Sequence, residues 1–188
     1  MMHRRSFALL IVSVLAPAAC EEDSGTVSQR SEAAPPADVE ARYFRREELL
    51  ASVQALRKRL GQPINSLRLE ILPDRVVVQA QDPVHPLRVE QFEYQDGRIE
   101  GPLPVRLKGP GTLEPNLFPL ADVPLDAIEA MVAEAVERVD EEHGTPARLI
   151  ARRDLPHSSS VRMRLFVTSP TFDGHVDFDE DGVPMDRE

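Results

Sequence analysis

Apolar positions fall first into a helical rhythm and then into an alternating one, and the same succession recurs later in the chain. Leu49, Val53, Leu56 and Leu60 repeat every three to four residues, with Gly61 behind them as a helix stop. Leu125, Ile128, Val132, Ala135 and Val139 repeat in the same way, with Gly144 behind them. Each pattern predicts a helix with one apolar stripe, which must be laid on another surface. Alternation follows each helix. Leu67, Leu69 and Ile71, then Val76, Val78 and Ala80, then Leu87 to Tyr94 read as three strands. Leu149 and Ala151, then Val161, Met163, Leu165 and Val167, then Phe172 to Phe178 read as three more. Asp96-Gly97 and Asp181-Gly182 close the two runs as hairpin signals, because Gly takes the positive φ such turns need. Phe92 and Tyr94 are out of step with Leu87 and Val89, which requires either a bulge or outward-pointing aromatics.

The predicted architecture is an α+β domain over residues 39–188, made of two α-β-β-β repeats at about 39–107 and 120–188. Each helix packs on one face of an antiparallel sheet. A unit of this size buries little surface alone, so the two are expected to share a core. Gly61-Gln62-Pro63 and Gly144-Thr145-Pro146 carry related text 83 residues apart. A bridge with six prolines, Gly101 to Pro124, joins the halves and is read as a connector over the core, with a short strand at Leu103, Val105 and Leu107. Helix, Gly stop, three strands and a closing Asp-Gly turn resemble the PepSY unit. Two such units in tandem resemble the secreted β-lactamase inhibitor proteins, over roughly residues 43–188. The resemblance implies a periplasmic or secreted binding or inhibitory module.

Met1 to Ala19 reads as a secretory signal: Arg4 and Arg5, an apolar run from Phe7 to Ala16, and small residues before Cys20. The run has about half the ~20 residues a membrane-spanning helix needs. Ala18, Ala19 and Cys20 resemble the bacterial lipoprotein cleavage box, with Pro17 where Leu is usual. The alternative is ordinary cleavage at an Ala-x-Ala site, leaving Cys20 free or removed. The resemblance implies a covalent lipid on Cys20 with three acyl chains, enough for a permanent anchor. Glu21 stands where members held at the inner membrane often have Asp, which favours the outer membrane, facing the periplasm. As the sole cysteine, Cys20 cannot form an intrachain disulfide. Glu21 to Asp38, rich in Ser, Glu, Ala and Pro, cannot offset its ordering entropy, so residues 20–38 are expected to be a lipid-bearing disordered tether.

Charge narrows the partners. The chain carries a net charge of -10, and removing residues 1–19 leaves 20 basic against 32 acidic side chains, a balance near -12. Phosphate backbones and anionic headgroups would repel such a body, which excludes nucleic-acid binding. Trp is absent and aromatics are few, so the core must come from Leu, Val, Ile and Ala. No catalytic motif is present, and neither an enzymatic role nor a cofactor is expected beyond the lipid.

If Val161, Met163, Leu165 and Val167 face a helix, Arg162, Arg164 and Phe166 face away. By the same parity Arg148, Ile150 and Arg152 face away on the neighbouring strand. These six residues form a candidate partner-binding patch, since Arg and aromatic side chains are enriched at interface hot spots. The competing reading is a cross-strand charge ladder in which Asp177 and Asp179 neutralise the arginines. Asp177, Asp179, Asp181, Gly182 and Glu188 match the spacing of a calcium loop. A strand in place of the leading helix, and Pro184, favour an acidic hairpin turn there instead. His85, His143, His157 and His175 are scattered, and Ser158 to Ser160 lack the Gly-x-Ser-x-Gly elbow of a nucleophile and read as a turn. Asp140, Glu141 and Glu142 crowd a helix C-terminus, where the dipole disfavours them, and are expected to be solvated or compensated by Arg138. The leading function is a membrane-anchored envelope lipoprotein that binds another envelope or secreted protein without catalysis, as an inhibitor or immunity factor would. The alternative is a structural or assembly-accessory envelope lipoprotein.

Overall fold

Helix α1 (Arg46–Leu60) forms where the first apolar stripe predicts it. Leu49, Val53 and Leu56 are buried, and Leu60 packs at the rim. Glu47 and Glu48 open the helix and Arg57, Lys58 and Arg59 close it, each complementing the dipole. Gly61 ends it at φ 84°, with its N–H donating to the Arg57 carbonyl at 3.0 Å. Helix α2 (Ile128–Asp140) buries Ile128, Met131 and Ala135, with Val132, Val136 and Val139 alongside and Leu125 buried just ahead of it. The second Gly works differently from the first. Helix α2 ends at Asp140, and Gly144 serves the turn into the next strand by close approach, because a Cβ there would lie 2.5 Å from the Asp140 carbonyl oxygen.

The computed structural model describes residues 41–108 and 111–186. The expected signal segment 1–19, the expected lipid site Cys20, the expected tether up to Asp38 and Glu188 therefore lie outside the described residues. Among the described residues no helix is long and apolar enough to cross a membrane.

The strands are β1 (Asn65–Ile71), β2 (Val76–Gln81), β3 (Val89–Gln95), β4 (Arg98–Pro104), β5 (Phe118–Pro119), β6 (Thr145–Arg153), β7 (Val161–Thr168) and β8 (Asp173–Phe178). All belong to one antiparallel sheet in the order β4-β3-β2-β1-β6-β7-β8, with β5 beside the start of β1. The helices do not rest on separate sheets. Strands β1 and β6 pair at the centre, Leu69 opposite Ala151 and Ile71 opposite Leu149, and fuse the strands into a single layer. Helix α1 lies over β2 and β3, and α2 over β6, β7 and β8, so one continuous core runs under both.

The sequence pattern needs four corrections. The first run has a fourth strand, since Asp96 (φ 50°) and Gly97 (φ 79°) return the chain as β4, and the bridge begins only after Pro104. Asp181-Gly182 does not repeat that turn: only Gly182 has positive φ, and the wider loop closes through the Asp179 N–H donating to the Val183 carbonyl. A bulge between Ser66 and Arg68 turns Ser66, not Leu67, toward the core. The parity conflict in β3 needs no bulge against β2. Phe92 and Tyr94 face the helices, Val89 faces the other side, and Leu87 precedes the strand, 84% exposed. The Pro-rich bridge does lie on the core, burying Phe118, Leu120 and Val123. Tyr43 and Phe44, ahead of α1, are buried too, and the Tyr43 hydroxyl accepts the Asp96 N–H at 3.1 Å.

Candidate functional site

Neither helix covers the opposite face of the sheet, and alternation decides what stands there. Val161, Met163, Leu165 and Val167 of β7 and Leu149 and Ala151 of β6 go into the core. Arg148, Ile150, Arg152, Arg162, Arg164 and Phe166 are thereby turned to the helix-free face, as parity predicts. Register brings the six together in three directly opposed pairs: Arg148 with Phe166, Ile150 with Arg164, Arg152 with Arg162.

Neighbouring strands complete the site. Arg164 and Asp177 of β8 form a bidentate pair, Nε to Oδ1 at 2.7 Å and a terminal nitrogen to Oδ2 at 2.8 Å. Burial opposes ionisation of Asp177, but the hydrogen bonds and charge of Arg164, with His175 and Arg162 nearby, outweigh it and hold the carboxyl below its ordinary range. The Asp177 hydrogen bonds likewise raise Arg164 against the opposing effect of burial. Arg162 pairs with Asp154 at 2.8 Å. Glu70 of β1 is shared by Arg68 at 3.0 Å and Arg148 at 3.6 Å. The Arg148 guanidinium also stands over the Phe166 ring, 4.7 Å from its centroid, and His175 flanks that ring at 5.7 Å. Arg152 is exposed and has no ion pair among the described residues. Among the described residues, the buried Nε–H groups of Arg68 and Arg162 find no acceptor.

The charge ladder is thus real but incomplete. Asp177 takes part, whereas Asp179 accepts the backbone N–H groups of Asp181 and Val183 and leaves the arginines alone. The carboxylates that do balance the patch, Glu70 and Asp154, escaped the sequence reading, as did Arg68. The outward parity of Arg68 and Glu70 was implicit in Leu69 and Ile71 facing in. What local pattern could not show is that β1 lies beside β6. A shallow hollow of about 360 Å³ opens over Arg68, Ile150, Arg152, Leu155, Arg162 and Phe166. A wider one of about 930 Å³ follows β8, bounded by Arg164, His175 and Asp177 and by Arg138 and Phe172.

The remaining candidates do not converge. For calcium, Asp177 is engaged by Arg164, Asp179 is engaged by its own turn, and Glu188 lies outside the described residues. No group of three or more His, Cys, Asp or Glu side chains among the described residues is placed to hold a metal. His85 bonds Asp82 at 2.9 Å, while His143 sits beside Asp140 and Glu142. Ser158 to Ser160 form a turn, with Ser158 Oγ accepting the Ser160 N–H and the Ser159 carbonyl accepting from Arg153. At the end of α2, Arg138 pairs with Glu134 and not with the acids of the turn. Asp140 instead accepts the N–H groups of His143 and Glu142, and these bonds, led by that from His143, lower its pKa. Comparison with known proteins found no matching family, no matching curated protein and no matching solved structure.

Proposed function

We propose that this chain is an envelope lipoprotein, anchored through Cys20, that binds another protein on the helix-free face of its sheet without catalysing a reaction. One observation carries the reading: six residues from two strands gather arginine and apolar side chains on the helix-free face of a protein whose net charge is -10. A face of this kind, with arginines around Ile150 and Phe166, has the composition of an interface centre. The duplicated α-β-β-β plan and the kinship with PepSY-like inhibitory modules belong to the same proposal. Their support is the order of elements, a helix followed by antiparallel strands, twice, and the antiparallel pairing of the first long strand after each helix at the sheet centre.

Two measurements test the two halves of the proposal. The intact chain in its native host should fractionate with membranes, and Cys20→Ser should move it to the soluble fraction; equal membrane retention would remove the lipid anchor. For the binding face, the choice of variant follows from the geometry. Reversing Arg164 would set a carboxylate against Asp177, so Arg152→Glu combined with Phe166→Ala is the better probe. Cross-linked partner recovered from the native envelope should fall at least tenfold in this variant while its far-ultraviolet circular dichroism remains that of the parent fold. Undiminished recovery would sink the face as the binding site.

A further inference from the structure

We infer that the helix-free face is a carboxylate-binding track, built for an extended segment of the partner that carries two acidic side chains about four residues apart. The inference rests on the binding-face reading above and names the chemistry of its occupant.

The track is short of acceptors and long in charge. Among the described residues, five arginines (Arg68, Arg148, Arg152, Arg162 and Arg164) are met by three ion-paired carboxylates, Glu70, Asp154 and Asp177. Arg152 stands directly opposite Arg162, and Arg68 occupies the register position on its other side, one residue beyond the Leu69–Ala151 pair. Like charges directly opposed destabilise a sheet. Each guanidinium offers five N–H donors, and a donor left unmet away from water is destabilising. The Nε–H groups of Arg68 and Arg162 are in that state. An arriving carboxylate supplies both the missing negative charge and acceptors toward which the guanidinium groups can turn.

The position of the surplus sets the ligand pattern. Arg152 has no carboxylate, and Arg148 holds only a half share of Glu70 at 3.6 Å. The two are four residues apart on β6, a span of about 13 Å along a strand. Between them on the same face stands Ile150, with Phe166 opposite Arg148 and Leu155 bordering the hollow. An extended segment with acidic residues at its first and fifth positions and an apolar residue at the third matches this order, since alternate side chains of a strand share one face. Two separated single charges suit carboxylates better than one concentrated dianion such as phosphate.

The test uses the full chain and a terminally blocked pentapeptide with glutamate at positions one and five, leucine at three and threonine between. The arginine Nε–H resonances of Arg148 and Arg152 should shift saturably at low-millimolar peptide. Affinity should fall at least tenfold when both glutamates become glutamine, and again when the protein carries Arg152→Gln. Arg152 is exposed and unpaired, so this variant keeps its fold, and an unchanged melting temperature confirms it. No saturable shift, equal binding of the glutamine peptide, or tighter binding of a phosphoserine counterpart would each overturn the inference. If the peptide fails while Arg152→Glu with Phe166→Ala still loses partner capture, the carboxylate chemistry is wrong and the face stands. If capture survives that variant, the face itself is wrong.

Discussion

Arg164 and Asp177 meet at directly opposed positions of β7 and β8, with both guanidinium–carboxylate bonds under 3 Å. The Asp177 side chain is 20% exposed and Arg164 39%, so water screens the pair in part. Asp177→Asn should therefore cost only about 1 kcal/mol at neutral pH. The sign of its pH dependence follows from the lowered folded-state pKa of Asp177. The unfolded chain takes up the proton first, so the contribution is complete above the unfolded value of about 4 and is lost as pH falls through the folded value. Melting temperatures of the parent and the variant should differ by a constant amount from pH 7 down to about 5, then converge in more acid solution. A difference that persists unchanged into strong acid would mean the pair acts through packing and not through charge. Arg152, one strand away, shows the opposite condition: an exposed guanidinium with no carboxylate, on a strand whose other arginine on that face shares one.

Legibility in the sequence stopped where elements meet. Both helices, six of the seven long strands and the inward set on β6 and β7 follow from periodicity, because Leu49 to Leu56 and Val161 to Val167 each repeat at the spacing of a single element. The outward set of Arg148 to Phe166 followed for the same reason. Strand β4 was placed too late, as a short strand at Leu103, Val105 and Leu107, because Gly101 and the prolines at 102 and 104 read as the start of a connector. Those residues instead suit an edge strand, where Pro removes a donor the edge does not need and blocks pairing with another chain. Gly101 adds a bulge at φ 113°, and a Cβ there would sit 2.5 Å from the Gln91 carbonyl oxygen. Ser66 displaced Leu67 from the core through one extra residue in β1, which periodicity cannot locate. Most costly for the site, the carboxylate Glu70 comes from β1, whose place beside β6 is set only by the order of strands in the sheet, whereas Asp154 stands in the turn between β6 and β7. Local alternation gives a residue its face. Topology alone gives it its partners.

At the scale of the whole described domain, the central pairing of β1 with β6 makes one cooperative body out of two helix-covered regions. Leu149 lies opposite Ile71 on that seam, both fully buried, and the core beneath runs unbroken from α1 to α2. On the helix side Arg46 of α1 adds contacts across the same division: its N–H donates to Glu129, and its guanidinium pairs with Asp126. Removing the Leu149 side chain should cost about 3 kcal/mol through lost burial and the cavity left behind. The chain reports where that loss is felt, because it has no Trp and its two tyrosines, Tyr43 and Tyr94, both lie on the α1 side of the seam, in edge-to-face contact with ring centroids 6.0 Å apart. Tyrosine fluorescence therefore follows the α1 side alone, whereas far-ultraviolet circular dichroism follows every helix and strand. In Leu149→Ala the two denaturant midpoints should fall together and by the same amount, since a continuous core cannot unfold on one side of its seam and persist on the other. A tyrosine transition left at the parent midpoint while the dichroism splits into two steps would show two regions folding independently, and the proposed binding face over β1, β6, β7 and β8 would then lose the shared sheet that holds its arginines in register.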